Sequence, residues 1–254
     1  VAGLLLARPS DPGEASGGAS KGASSGPTDA AAGTFEVDEV GRLHETEEGD
    51  QPDAEARRLW TLFAEIAGDR ASDVLDVRVY DDPDDTTMAS VARDDVYWHA
   101  TVNTAWTADA DELERTFVHE FGHMLTLSTE QVPELAGACP RFELSEGCPT
   151  EGSVVAAFES RFWQGYGTPP ADDGAEEDDV TAFFRANGGT DAFVSEYAAT
   201  NVTEDVAESW MEYVFSEVPA DDPARPRTAK LRTFEEFPAM VAERDRIREA
   251  LGIE

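Results

Sequence analysis

The chain has 254 residues, 41% of them hydrophobic, which is enough apolar mass for one ordinary core with a tail and excludes large-scale disorder. Acids outnumber bases 54 to 19, for a net charge of -35, and they run along the whole length. This excludes a partner gripped through a phosphate backbone, because nucleic acid is held mainly by Lys and Arg.

Two readings of the acids stay open: a solvated surface that favours solubility, or adaptation to high salt, where counterions screen self-repulsion. Lys21 and Lys230 are the only lysines, which fits the second reading and equally fits a bias toward Arg codons.

In chain order, the apolar run from Val1 to Ala7 is too short to span a bilayer and lacks a basic leader. It reads as the remnant of an export signal, or as nothing. From Pro9 to Gly33 the composition is mainly Gly, Ser, Ala, Pro and Asp with hardly a large side chain, which cannot offset the entropy of ordering, so a flexible tether is expected. Residues 1–33 thus form an export-signal remnant and linker. On the export-signal reading the expected location is outside the cell or in its envelope, with a signal peptide or lipid as the candidate N-terminal anchor, and 34–254 is the expected domain.

"QPDAEARRLWTLFAEIAG" sets Ala56, Leu59, Trp60, Phe63 and Ile66 on one helical stripe, with Pro52 near its start and Gly68 at its end. "DVLDVRVYDD" alternates as a half-buried strand and stops at "DDPDD". A second short strand follows, and a third runs from Val96 to Asn103. Hairpin distances between the three predict a small, mostly antiparallel sheet, with the third strand as its edge beside a cleft, where an extended peptide adds. His99 in that strand reads as a surface or packing residue, and His44 carries no assignment.

The next helix begins at Asp109, with Glu112 in capping-box register, and runs to about Leu127. It contains "TFVHEFGHML", in which His119 and His123 are four apart and so share one face, able to reach a single metal ion. Glu120 falls beside that face, where its carboxylate can hold a water activated by the metal without being a ligand. A tetrahedral catalytic site needs a third protein ligand. The version in which it follows at once requires Gly at 126 and His at 129; Thr126 and Thr129 stand there.

Cys139 and Cys148 enclose "PRFELSEG", a loop that a disulfide can close in an oxidising compartment; two reduced thiols are the alternative. Residues 128–190 read as a mostly helical insertion containing "SVVAAFESRFW" and "VTAFFRANGG". A strong helix spans Thr203 to Glu217, and "PADDPARPR" breaks the pattern before a last helix from Phe237 to Leu251. No stretch is long and apolar enough to cross a membrane, no repeats appear, and nothing specifies an oligomeric state.

The Thr203–Glu217 helix offers Glu204 and Glu208, four apart on one face, with Asn201 in capping register. By spacing, Glu204 can complete the metal site while Glu208 accepts the free N–H of a ligand histidine. A solvated acidic face explains the pair alone equally well, and spacing alone leaves Tyr197 as a core aromatic.

"SEYAATNVTEDVAESW", Ser195 to Trp210, resembles the segment carrying the third zinc ligand in zinc peptidases of the gluzincin type, the catalytic domain of anthrax lethal factor among them. The Tyr, the Asn and both Glu stand in the same register. The resemblance covers this segment and "HEFGH"; Val206 replaces a usual aromatic, and the two motifs lie much further apart than in lethal factor.

The resemblance implies an α+β, zincin-like fold: a small sheet, an active-site helix and a mainly helical C-terminal half. It further implies one Zn²⁺ held by His119, His123 and Glu204, with Glu120 as general base, Glu208 supporting a histidine, and Tyr197 stabilising the oxyanion. The expected activity is hydrolysis of a peptide or protein substrate. The alternative is a zinc-binding interaction module of the same fold without turnover.

Overall fold

Val77, Val79, Ala89, Val91, Ala100 and Val102 are all buried, one side of three strands that alternate with a period of two and so turn one sheet face inward. The computed structural model describes the backbone of 2–5 together with 33–45, 51–134, 138–140, 142–170, 177–220, 222 and 224–253. The fold is α+β. Its strands are β1 (Ala2–Leu5), β2 (Gly33–Val37), β3 (Leu43–His44), β4 (Val74–Tyr80), β5 (Thr87–Asp94) and β6 (Tyr97–Asn103), in the order β1-β5-β6-β4-β2-β3. β4 and β6 pair in parallel, while the other neighbours are antiparallel.

The sheet corrects one expectation. The strand over Val96–Asn103 is not the edge: as β6 it lies between β5 and β4. The stretch "DDPDD" does not close a hairpin from β4 to β5, because Asn103 holds it open as a wider loop. The Asn103 amide donates to the carbonyls of Asp82 and Asp85 at 2.7 and 2.9 Å, and its oxygen accepts the Asp82 N–H at 3.0 Å. β6 then fills the gap between the two strands. The outer side of β5 pairs with Ala2–Leu5, and the expected tether at 9–32 lies outside the described residues.

The helices are α1 (Ala54–Ala67), α2 (Ala110–Thr126), α3 (Val154–Phe158), α4 (Glu177–Ala186), α5 (Val202–Phe215), α6 (Pro226–Thr233) and α7 (Pro238–Leu251). α3 runs on through a π-helical turn over Glu159–Trp163. β2, β3 and α6 were not expected from sequence periodicity; "PADDPARPR" ends inside the start of α6 rather than leading directly to the last helix. The stretch 128–190 carries α3, the π turn and α4 among its described residues.

α1 and α2 pack against the sheet, with the Phe63 and Phe117 rings edge to face at 5.4 Å. Leu113, Phe117 and Phe121 of α2 are fully buried, each contributing roughly 1.5–3 kcal/mol through loss of apolar surface to water. α5 crosses α2 at Gly122, where an added Cβ would lie 2.7 Å from Trp210 Cδ1 and 3.4 Å from Ala207 Cα. Only a missing side chain permits this approach.

Phe183, Ala192, Phe193, Ala198 and Ala199 form a smaller cluster, and Lys230 reaches its Phe193 ring. The Lys230 ammonium lies 2.6 Å from the Asp205 carboxylate and 4.0 Å from the Phe193 ring centroid, and the Trp163 indole donates to Asp205 at 2.7 Å. Burial pushes Lys230 down and Asp205 up, and their pairing opposes both shifts. Removing one partner of such a buried pair costs about 3–5 kcal/mol.

Cys139 and Cys148 form a disulfide. Arg93 of β5 clamps this region, donating to the carbonyls of Leu127, Val132 and Glu146. Among the described residues no helix is long and apolar enough to cross a membrane.

Candidate metal centre

α2 starts where the Asp109 carboxylate accepts the N–H groups of Asp111 and Glu112, satisfying two of the donors a helix start leaves free. α5 starts in the same way: Asn201 Oδ1 accepts the N–H groups of Thr203 and Glu204, both at 2.9 Å. With both helices anchored and Gly122 at their crossing, the facing turns bring residues 119, 123, 204 and 208 together.

Three atoms from these helices form a small triangle. His119 Nε2 lies 3.1 Å from His123 Nε2 and 3.1 Å from Glu204 Oε2, and His123 Nε2 lies 3.3 Å from the same oxygen. Ligand atoms about 2.0–2.1 Å from a tetrahedral ion stand about 3.3 Å apart, so the triangle has the dimensions of three corners of such a site. All three side chains are buried, and the group can hold a metal ion. Two imidazoles with one carboxylate suit zinc and other divalent transition metals.

His119 is held at both ring nitrogens. Its Nδ1–H donates to Glu208 Oε1 at 2.8 Å, which leaves Nε2 as the ligand atom and fixes the ring. In the metal-free protein burial disfavours charge on His119, but Glu204 and Glu208 outweigh burial and raise its pKa well above the ordinary value. Burial likewise pushes Glu204 up, yet the imidazoles of His123 and His119 prevail and hold it down at about 2. A proton on His119 therefore binds the group together where a cation otherwise sits.

Glu120 is buried and directly follows His119 on α2. Its Oε2 accepts the Val91 N–H of β5 at 3.1 Å, and its Oε1 has no hydrogen-bond partner among the described residues. Burial, then Glu204 and Glu208, raise its pKa well above the ordinary carboxyl value, against the pull of His119. A carboxyl with one fixed oxygen, one available oxygen and a raised pKa suits proton transfer.

Tyr197 is half-buried at the head of a single 3-10 turn, Tyr197–Ala199, its ring centroid 6.0 Å from that of His119. Of the six residues assigned from sequence, His119, His123, Glu204 and Glu208 are thus joined by direct contacts, Tyr197 lies beside His119, and Glu120 follows His119 on α2 with its carboxylate on β5. His99 does not join them; its Nδ1 pairs with Asp76 across β4 and β6 at 2.7 Å. Val91 was not foreseen, since it contributes a backbone N–H that carries no residue-type signal. Ser195, inside the quoted motif but unassigned, donates to Glu208.

Compared with known proteins, the chain matches no family model, no curated protein and no solved structure.

Proposed function

We propose that the chain is a zinc-dependent peptidase of zincin-like, gluzincin type, hydrolysing peptide bonds with water. The observation that carries the reading is the triangle of His119 Nε2, His123 Nε2 and Glu204 Oε2, each edge within 3.3 Å, with a buried, half-satisfied Glu120 beside it. His119, His123 and Glu204 would hold the zinc, which when bound would supply Lewis-acid chemistry to a carbonyl and a water, whose pKa would fall toward about 7.

The remaining work falls to side chains. Glu120 Oε2 stays on the Val91 N–H, so Oε1 takes the proton of the attacking water, and the raised pKa lets the same carboxyl return it to the leaving amine. Glu208 keeps His119 in the tautomer that ligates through Nε2. Tyr197 offers a phenol O–H to the oxygen on which negative charge develops.

Disulfide closure at Cys139–Cys148 supports an exported protein working in an oxidising compartment. The substrate class is a peptide or protein chain, and that assignment rests on the resemblance of the two motif segments.

Purified protein is expected to carry about one equivalent of zinc and to cleave members of a peptide library. Glu120→Gln keeps the zinc and loses about 100-fold or more of the rate. Equal cleavage by the two proteins, or wild type devoid of zinc, overturns the reading.

A further inference from the structure

Glu208 has two oxygens and both are taken. Oε1 accepts from His119 Nδ1 at 2.8 Å, and Oε2 accepts from the Ser195 hydroxyl at 2.5 Å. An ionised carboxylate can only accept, so the single hydroxyl proton of Ser195 goes to Glu208 and leaves the serine lone pairs free. One of these accepts the Ala198 N–H at 3.0 Å, the middle residue of the turn that begins with Tyr197. A continuous line of hydrogen bonds therefore runs from a metal-ligand imidazole through Glu208 and Ser195 into the backbone that presents the tyrosine.

We infer that Ser195 is a positioning residue: it orients Glu208, and through it the ligand tautomer of His119, while pinning the turn that carries Tyr197. The inference rests on the hydrolase reading for its effect on turnover, and on geometry alone for its effect on metal binding.

Glu208 is buried, so an oxygen left without its serine has no water to turn to. The carboxylate is then free to rotate away from His119, which loosens the hold on the imidazole and weakens it as a ligand. The Ala198 N–H loses its acceptor at the same moment, which frees the tyrosine turn. One hydroxyl therefore supports the metal on one side and the oxyanion donor on the other. Ser195 itself is only half-buried, so its removal leaves no large cavity to unfold the protein.

The test compares Ser195→Ala, Ser195→Thr and Ser195→Cys with wild type, measuring zinc affinity by competition with a chromophoric chelator, and kcat and KM separately. Partners that orient a metal ligand contribute 10–100-fold to metal affinity or activity; Ser195 stands one bond further out, so Ser195→Ala is expected to lose about tenfold in zinc affinity. Its kcat falls further than that, with KM nearly unchanged. Thr keeps the hydroxyl and restores both; Cys keeps the shape with a weak donor and behaves as Ala does, which separates lost hydrogen bonding from lost packing.

In a Glu208→Gln background, Ser195→Ala is expected to cost little further zinc affinity, because the two residues act as one unit. Zinc affinity of Ser195→Ala within twofold of wild type, or losses that simply add in the double variant, overturns the inference. Absence of turnover in wild type overturns the hydrolase reading instead, and the zinc titrations still decide the role of Ser195.

Discussion

His119 sits between two carboxylates, and this decides how the site answers to protons. Its raised pKa means that its stabilisation of the metal-free protein is complete below the ordinary imidazole value of 6.5 and is lost as pH rises through the raised value. Glu204 works in the opposite sense: its contribution is present above the ordinary 4.5 and fades as pH falls toward about 2. A metal ion bound at His119 Nε2 must displace the His119 proton, so the affinity for zinc, the proposed metal, is expected to climb with pH, and uptake near neutrality to release about one proton. Calorimetry in two buffers of different ionisation enthalpy measures this directly; identical heats in both would mean that His119 is already neutral. At this scale the sequence was informative where chemistry requires a residue type at a fixed spacing, as at His119, Glu120 and His123. The nearness of Glu204 and Glu208 to the histidines was legible through their spacing and the motif around them. The Val91 N–H left no mark, because every residue but proline has one, and Ser195 was one of many serines until the fold aimed it at Glu208.

At the scale of elements, Gly122 governs whether α2 and α5 come close enough for one cation to touch both. Gly122→Ala improves helix propensity by about 1 kcal/mol, whereas forcing a methyl into a packed contact costs about 1–3 kcal/mol. The clash is expected to win, since Trp210 is fully buried and has no room to swing aside. Lower thermal stability together with weaker zinc binding is the expected outcome, read by melting and chelator competition; a higher melting temperature with unchanged affinity would show that Trp210 yields. The caps at Asp109 and Asn201 and the stripe of α1 were readable because they depend on neighbours in sequence. β6 was misplaced because its parallel pairing with β4 depends on a crossover that no local turn announces. α6 escaped because Lys230 reads as a solvent-facing residue, and only Asp205, 25 positions away in sequence, makes its burial tolerable.

For the molecule as a whole, a net charge of -35 sets self-repulsion against compaction. Exposed ion pairs such as Arg161 with Glu236 contribute about 0–1 kcal/mol each, and with 54 acids against 19 bases most carboxylates have no cation to pair with. Added sodium chloride shortens the screening length from about 10 Å at 0.1 M to about 3 Å at 1 M. The melting temperature is therefore expected to rise by several degrees over that range; a flat or falling curve would show that repulsion is not what limits stability. The same scale holds a consequence for timing. His119 and the Glu204 that completes the triangle are 85 residues apart, and synthesis at about 5–20 residues per second separates their emergence by roughly 4–17 s. Through that interval a growing chain displays two imidazoles and no third ligand, and the tyrosine turn and α5 do not yet exist as packed units. The three-sided metal group is thus complete only once α5 has been made, so a ribosome-bound chain that ends before Glu204 is expected to bind no metal at this site.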